Sequence, residues 1–413
     1  MARAANSTGR CAGAAYDVLV SSVSARPPHC PAPLSPAAVY WTAFIGLFFD
    51  YYDLYLFVYL EKLFAHEFAL SVAQSNALQF TGLAGVGLGA LIFGYLADRH
   101  GRGRMMLWVF GVYGTGIAGI CVAWSYESLL VARAIASLAL GAEWGISHAF
   151  MAEHVSGARR YRFAALLQFS ILGGLLAALA SRYAVPTLGW RWMFAASLPP
   201  IALLAFVRWR FLAAADRAET RIPLEASPAA ATRLSGGDWV SFAQCFCLAS
   251  LTIASGTVNI FFAKELPQSP AYTVLFWVNV APGMLFGAWV VRRLGVRTAI
   301  GGYAFALLAL SAFAWASTWP GRKLAFALVL PFLNGIPFGL MGAYFNEVFS
   351  RYRTMLSGAA YNLGRILAGF APVLVAALGL HRGGNYFLFT AGLAVAVLTV
   401  GLTLEPRETR DRT

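Results

Sequence analysis

Runs of about 20 mostly apolar residues recur along the 413-residue chain, each long enough to cross about 30 Å of hydrocarbon as a helix. Six fall near 38–62, 76–97, 105–124, 127–151, 161–182 and 191–212. After a polar stretch at 213–238, six more fall near 239–263, 271–291, 297–317, 323–348, 354–378 and 384–404. Inside lipid an unpaired backbone amide finds no water, so such runs fold as helices and not as loops or open sheet. Composition agrees: hydrophobic residues reach 59% against roughly 45–50% in soluble domains, and charged residues fall to 12% against about 25%. The net charge of +13 sits in short bursts between apolar runs, which reads as topology and argues against a nucleic-acid partner. The expected fold class is therefore an all-α membrane protein with twelve transmembrane helices.

Residues 1–36, rich in Ala, Ser and Pro, are expected to form a disordered cytoplasmic tail. Their short apolar stretch contains Asp17 and is a poor signal peptide. A six-helix bundle at 37–212, a linker at 213–238, a second bundle at 239–405 and a tail at 406–413 complete the expected organisation. Lys and Arg set the orientation. Arg99, Arg102, Arg104, Arg159, Arg160, Arg162, Arg208, Arg210, Arg217, Arg221, Arg233, Arg292, Arg293, Arg297, Arg351 and Arg353 fall in even-numbered loops, with far fewer in odd ones. Both termini and the central linker are thus expected on the cytoplasmic side of a cell (inner or plasma) membrane. Arg133 and Arg365 lie inside helices. The five cysteines form no disulfide or metal pattern, and no nucleophile–base set sits at membrane depth. The chain is therefore read as no enzyme, with no cofactor and no metal.

The two halves echo one another. Arg160-Tyr161-Arg162 recurs as Arg351-Tyr352-Arg353, and Glu153 and Glu347 close the helices that precede them. Gly94-Tyr95-Leu96-Ala97-Asp98-Arg99-His100-Gly101-Arg102 has a weaker counterpart from Gly287 to Gly295, where Val291 stands in the acid's place. This loop resembles the signature between helices 2 and 3 of the major facilitator superfamily. The resemblance covers residues 38–404 and implies two six-helix pseudo-repeats with a solute site between them. It further implies that Gly94, Asp98, Arg99, Gly101 and Arg102 gate the path. Asp98 would dock on a neighbouring helix end while Arg99 and Arg102 pair nearby acids. Glu153, Glu347 and Arg351 are assigned to the same gate.

Several stretches resemble particular branches. Gly141-Ala142-Glu143-Trp144-Gly145, with Arg133 before it, is similar to helix 4 of proton-coupled organic-anion symporters. Asn346-Glu347-Val348-Phe349 with Tyr361-Asn362-Leu363-Gly364-Arg365 resembles the sialate/lactate branch, as does Gly189-Trp190-Arg191 with Pro199. Phe49-Asp50-Tyr51-Tyr52-Asp53 resembles the metabolite and aromatic-acid symporters. One departure stands out: Ser255-Gly256-Thr257-Val258-Asn259 occupies the place where the sialate/lactate branch carries His-Gly-Thr-Gln-Asp.

An ionisable side chain at mid-bilayer costs a few kcal/mol or more, so each marks a functional candidate. At about 1.5 Å per residue, Asp50 and Arg365 lie at nearly the same depth, with Asp53 one turn beyond Asp50. Arg365 is the expected anchor for a substrate carboxylate. Asp50 or Asp53 is expected to take up a coupled proton, with Arg133 nearby, and Glu143 is a further proton-coupling candidate. Tyr51, Tyr52, Tyr55, Gln168, Asn334, Tyr361 and Asn362 could hydrogen-bond a solute. The plainer alternative is that these groups pair only to hold helices together. The expected function is alternating-access transport of a small, monocarboxylate-like organic acid, as proton-coupled symport. The partners would be that anion, protons and membrane lipids, with the chain acting as a monomer. Transport of sugars or aromatic acids, and a non-transporting sensor on the same scaffold, are the other readings.

Overall fold

The computed structural model describes residues 36–155, 159–219, 234–257, 269–349, 351–380 and 385–404. Ten of its helices are long and apolar enough to cross a membrane. Ala37–Tyr59 with Glu61–Glu67, bent 55° to it, makes an eleventh. The twelfth is hidden in the 47-residue stretch Pro270–Ala316, which is broken at Gly295. The chain is a multi-pass integral membrane protein. Its helices are α1 (Pro36–Tyr59), α2 (Val72–His100), α3 (Arg102–Cys121), α4 (Tyr126–His154), α5 (Arg160–Leu188) and α6 (Leu198–Glu219, led in by Trp190–Ala195). The second half holds α7 (Gly236–Thr257), α8 (270–294), α9 (296–316), α10 (Arg322–Val348), α11 (Arg353–Ala377) and α12 (Tyr386–Thr403).

The break at Gly295 has φ 85°, and Gly101, between α2 and α3, has φ 92°. Both lie in the left-handed region that glycine enters without a Cβ penalty. They occupy equivalent places in the two halves, so the repeat extends to backbone conformation. Ser71 and Ser125 cap α2 and α4 with side-chain acceptors for Gln74 and Ser128 amides, satisfying donors that lipid cannot. α5 is less regular, with a 3-10 turn at Phe169–Leu172 and a π turn at Ala180–Ala184.

With little hydrophobic drive between helices in lipid, small residues that permit close approach take over the packing. A Cβ on Gly141 of α4 would overlap the Val86 carbonyl of α2, and one on Gly89 would overlap Leu138. In the second half, Gly283 of α8 meets Phe332 of α10 in the same way, and Gly335 meets Val280. The pairs α2–α4 and α8–α10 are thus equivalent glycine-mediated contacts. The expected tail 1–36 lies outside the described residues except Pro36, and most of the linker, 220–233, also lies outside them.

Candidate functional site

A narrow cavity between the halves is lined by Leu47, Asp50, Tyr51, Leu54, Leu140, Trp144 and Arg365. The shared depth read from the sequence for Asp50 and Arg365 corresponds to a shared cavity. Arg365 donates to the Tyr361 hydroxyl at 3.2 Å and lies 5.0 and 5.7 Å from the Tyr361 and Tyr51 rings. Tyr51 and Tyr361 hydroxyls are 3.2 Å apart, linking α1 to α11. Among the described residues Arg365 forms no ion pair, and Asp50 Oδ2 is buried without a hydrogen-bond partner.

Trp144 is buried and stacks on Tyr361 across the two halves, with centroids 4.0 Å apart and planes 5° from parallel. Its indole N–H donates to Gln168, whose amide donates in turn to the Phe338 carbonyl of α10. Asn362 donates to the Gly141 carbonyl of α4 and the Gly358 carbonyl of its own helix. Gln168 and Asn362 therefore bridge the halves through backbone carbonyls.

Behind the cavity, within the first half, Glu143 accepts from Ser147 at 2.8 Å and lies 3.9 Å from Arg208. Asp53 accepts from Tyr113 and from Ser197, and Arg133 lies within electrostatic reach of it. Arg133 also covers the Phe57 ring at 3.9 Å. Arg208 corrects the sequence reading, which counted it among the cytoplasmic loop arginines. It is 6% exposed, donates to the Thr42 carbonyl at 2.6 Å and lies over Phe110. α6 runs on past its apolar stretch, so a residue at the edge of that stretch turns inward to meet Glu143.

Two candidates stand apart from the cavity. Tyr52 donates to the Met193 carbonyl inside the first half. Asn334 accepts from Ser255 and Tyr303 inside the second. Ser255, where the resembled branch has His, is thus absorbed in a buried polar knot, while Val258 and Asn259 lie outside the described residues. Sequence reasoning also missed His148, which packs against Trp144 at 4.5 Å and fills the space left by Gly342 of α10. The signal was available: His148 falls one turn from Trp144, on the same helix face.

At one end of the bundle the halves are locked. Asp98 accepts from the backbone amides of Thr354 at 3.1 Å and Met355 at 2.9 Å, the first turn of α11. Those amides have no intrahelical acceptor, and the helix end carries partial positive charge. Arg102 pairs with Asp98 at 2.8 Å and with Glu153, and donates to the Thr354 hydroxyl. Glu347 of α10 meets Arg160 at 3.2 Å and the Tyr161 hydroxyl at 2.7 Å. Gly94 packs directly on Met355. Arg99, one residue past Asp98 and so on a different helix face, is exposed and donates to the Tyr95 hydroxyl. Arg351 is exposed at the approach to α11. On the far side of the cavity, Trp277 of α8 packs edge-on against Tyr55 at 4.8 Å and fills the space left by Gly174. The halves therefore touch on both sides of the cavity.

Residues 43–372 match the sequence model of the Major Facilitator Superfamily. The chain belongs to the major facilitator superfamily. Among similar superfamily members is a cis,cis-muconate transport protein of Acinetobacter baylyi, 26% identical over 87% of this chain and 91% of its own. A niacin transporter of the same organism is 24% identical over 90% of this chain and 94% of its own. The solved proton:xylose symporter XylE, at 16% identity, covers 89% of this chain and 94% of its own with a TM-score of 0.66, a likeness of fold. Superfamily members of this kind are transporters and not enzymes.

Proposed function

We propose that the chain is a secondary transporter of a small organic acid, monocarboxylate-like, moved by alternating access and coupled to protons. The observation that carries this reading is Arg365: a mid-span guanidinium at the cavity between the halves, with no ion pair among the described residues. Such a cation is costly in lipid. An incoming carboxylate completes its planar fork with two charge-assisted hydrogen bonds. The similarity to carriers named for muconate and niacin, both carboxylic acids, supports the same solute class.

Asp50 faces the same cavity with one oxygen unpartnered. A substrate carboxylate on Arg365 takes up the positive charge that offsets Asp50, so Asp50 then accepts a proton, and anion and proton travel together. Asp53 and Glu143, each already hydrogen-bonded, stand behind it as further proton sites. The lock built from Asp98, Arg102, Glu153, Arg160 and Glu347 faces the cytoplasm, with both termini on that side of the cell membrane. It must break for the solute to leave inward. The protein works as a monomer surrounded by lipid.

The test is uptake of labelled lactate, pyruvate, sialate, benzoate and glucose into proteoliposomes, with and without an inward proton gradient. Gradient-stimulated uptake of an acid is expected. Uptake indifferent to the gradient removes the proton role of Asp50, and uptake of glucose alone overturns the organic-acid reading.

A further inference from the structure

We infer that His148 is a positioning residue that favours opening of the contact between the halves. With α4 closed on α10 its imidazole has no hydrogen-bond partner, and parting the halves at the locked end restores partners to it. The inference rests on the transporter reading. It adds a residue that biases the movement, separate from those that would hold solute or proton.

His148 is 2% exposed, and neither ring nitrogen has a hydrogen-bond partner among the described residues. A neutral imidazole carries one N–H donor and one bare acceptor, so both go unmet in either tautomer. The ring lies 4.5 Å from Trp144 and so close over Gly342 of α10 that a Cβ there would overlap Nδ1. The polar side chains around Trp144 are already engaged. Gln168 serves the Trp144 indole and the Phe338 carbonyl, and Ser147 serves Glu143. Asn346, one turn beyond Gly342 on the same face of α10, is equally buried. Its amide nitrogen donates to the Gly342 carbonyl, while its oxygen has no partner among the described residues. Each half thus brings an unmet polar group to the same level.

That level lies between the cavity and the lock. His148 is one turn past Trp144, which lines the cavity, and Glu153, which pairs with Arg102, lies farther along α4. On α10, Gly342 precedes Glu347, the partner of Arg160. Beside them a Cβ on Gly145 would sit 3.0 Å from the Gly358 Cα and from the Thr354 carbonyl of α11. Backbone meets backbone there, and water has no room. Proteins pair nearly all their buried polar atoms, so an unmet one at a moving contact is a reservoir of strain. The desolvation cost of the imidazole falls on the closed form alone, because water reaches the ring once α4 and α10 part. Asp98 and its partners hold the contact shut, and His148 works against them. Together they set how often it opens.

The test reads the gate through Thr354→Cys, at a position buried in the lock. The full-length protein in proteoliposomes is exposed to a membrane-permeant thiol reagent, and labelling of protein without that cysteine is subtracted. His148→Leu keeps a side chain of similar volume and removes both polar atoms. Labelling at least about fivefold slower than with His148 in place is expected, because the closed form no longer carries the unmet group. His148→Met takes its place should the first variant fail to reach the membrane. A side chain that only packs gives the opposite sign, since replacing it loosens the contact and speeds labelling. Unchanged or faster labelling therefore overturns the inference. Asp98→Asn is measured alongside. Faster labelling there, with no slowing at His148, overturns the inference and leaves the transporter reading standing. Labelling indifferent to both substitutions shows that the halves do not part at this end, and overturns the inference together with the gate on which it rests.

Discussion

At the residue scale, the buried ionisable groups form a graded set. Arg365 and Asp50 face the cavity, Glu143 and Arg208 lie behind it, and Asp53 and Arg133 lie deeper in the first half. Breaking a buried pair by removing one partner leaves an uncompensated charge, at a cost of about 3–5 kcal/mol. Arg208→Met is therefore expected to lower the melting temperature of the purified protein markedly. Adding Glu143→Gln to it should recover part of the loss. A double variant no more stable than the single one would show that the 3.9 Å Arg208–Glu143 contact carries no coupling. Arg365 and Asp50 were legible in the sequence because a charge deep inside an apolar run has few readings. Arg208 was not, because an arginine at the edge of such a run looks like an interfacial anchor until the helix is seen to continue. Tyr52 and Asn334 stand apart from the cavity for another reason. Both are at suitable depth, but which way a helix faces depends on its neighbours, which no local motif records.

At the scale of helices, glycine contacts and the Asp98 lock decide the behaviour. Gly141→Ala puts a methyl group into the Val86 carbonyl of α2, and overpacking of this kind costs about 1–3 kcal/mol. Gly302→Ala meets nothing within 4 Å and is the matched control. The expected outcome is a lower melting temperature for the first and an unchanged or slightly higher one for the second. Equal effects would contradict the packing account. Asp98→Asn keeps the side chain's shape but removes the charge that faces both the α11 amides and Arg102. Loss of about 1–2 kcal/mol from the closed state is a factor of roughly 5–30 in its population. A cysteine introduced at Thr354 should then react faster with a membrane-permeant thiol reagent than it does beside the native Asp98. Unchanged reactivity would show that the lock does not hold the halves together. The helices were largely legible from run length, with most boundaries shifted by about one turn or less, since hydrocarbon thickness sets that length. The turn at Gly295 was legible through its likeness to Gly101. The carbonyl-mediated bridges from Gln168 and Asn362 were not, because a backbone acceptor has no signature in the sequence.

At the scale of the whole molecule, two related halves close on a cavity that Arg365 faces, held at one end by Asp98 on the α11 amides and by the Arg160–Glu347 ion pair, and touching through Trp277 at the other. In the transport cycle proposed above, one contact layer opens at a time, and the Arg365–Tyr361–Tyr51 link joins α1 to α11 across the cavity. Hydrogen bonds to a charged group contribute about 1.5–3 kcal/mol each, so the loss of a two-bond clamp should cut uptake a hundredfold or more. The direct measurement is the initial rate of gradient-driven uptake of a labelled organic acid by proteoliposomes carrying wild-type protein or Arg365→Ala, with equal amounts of folded protein reconstituted. Uptake by the wild type is expected, with at least a hundredfold slower uptake by the variant. Equal rates in the two would show that Arg365 does not anchor the solute.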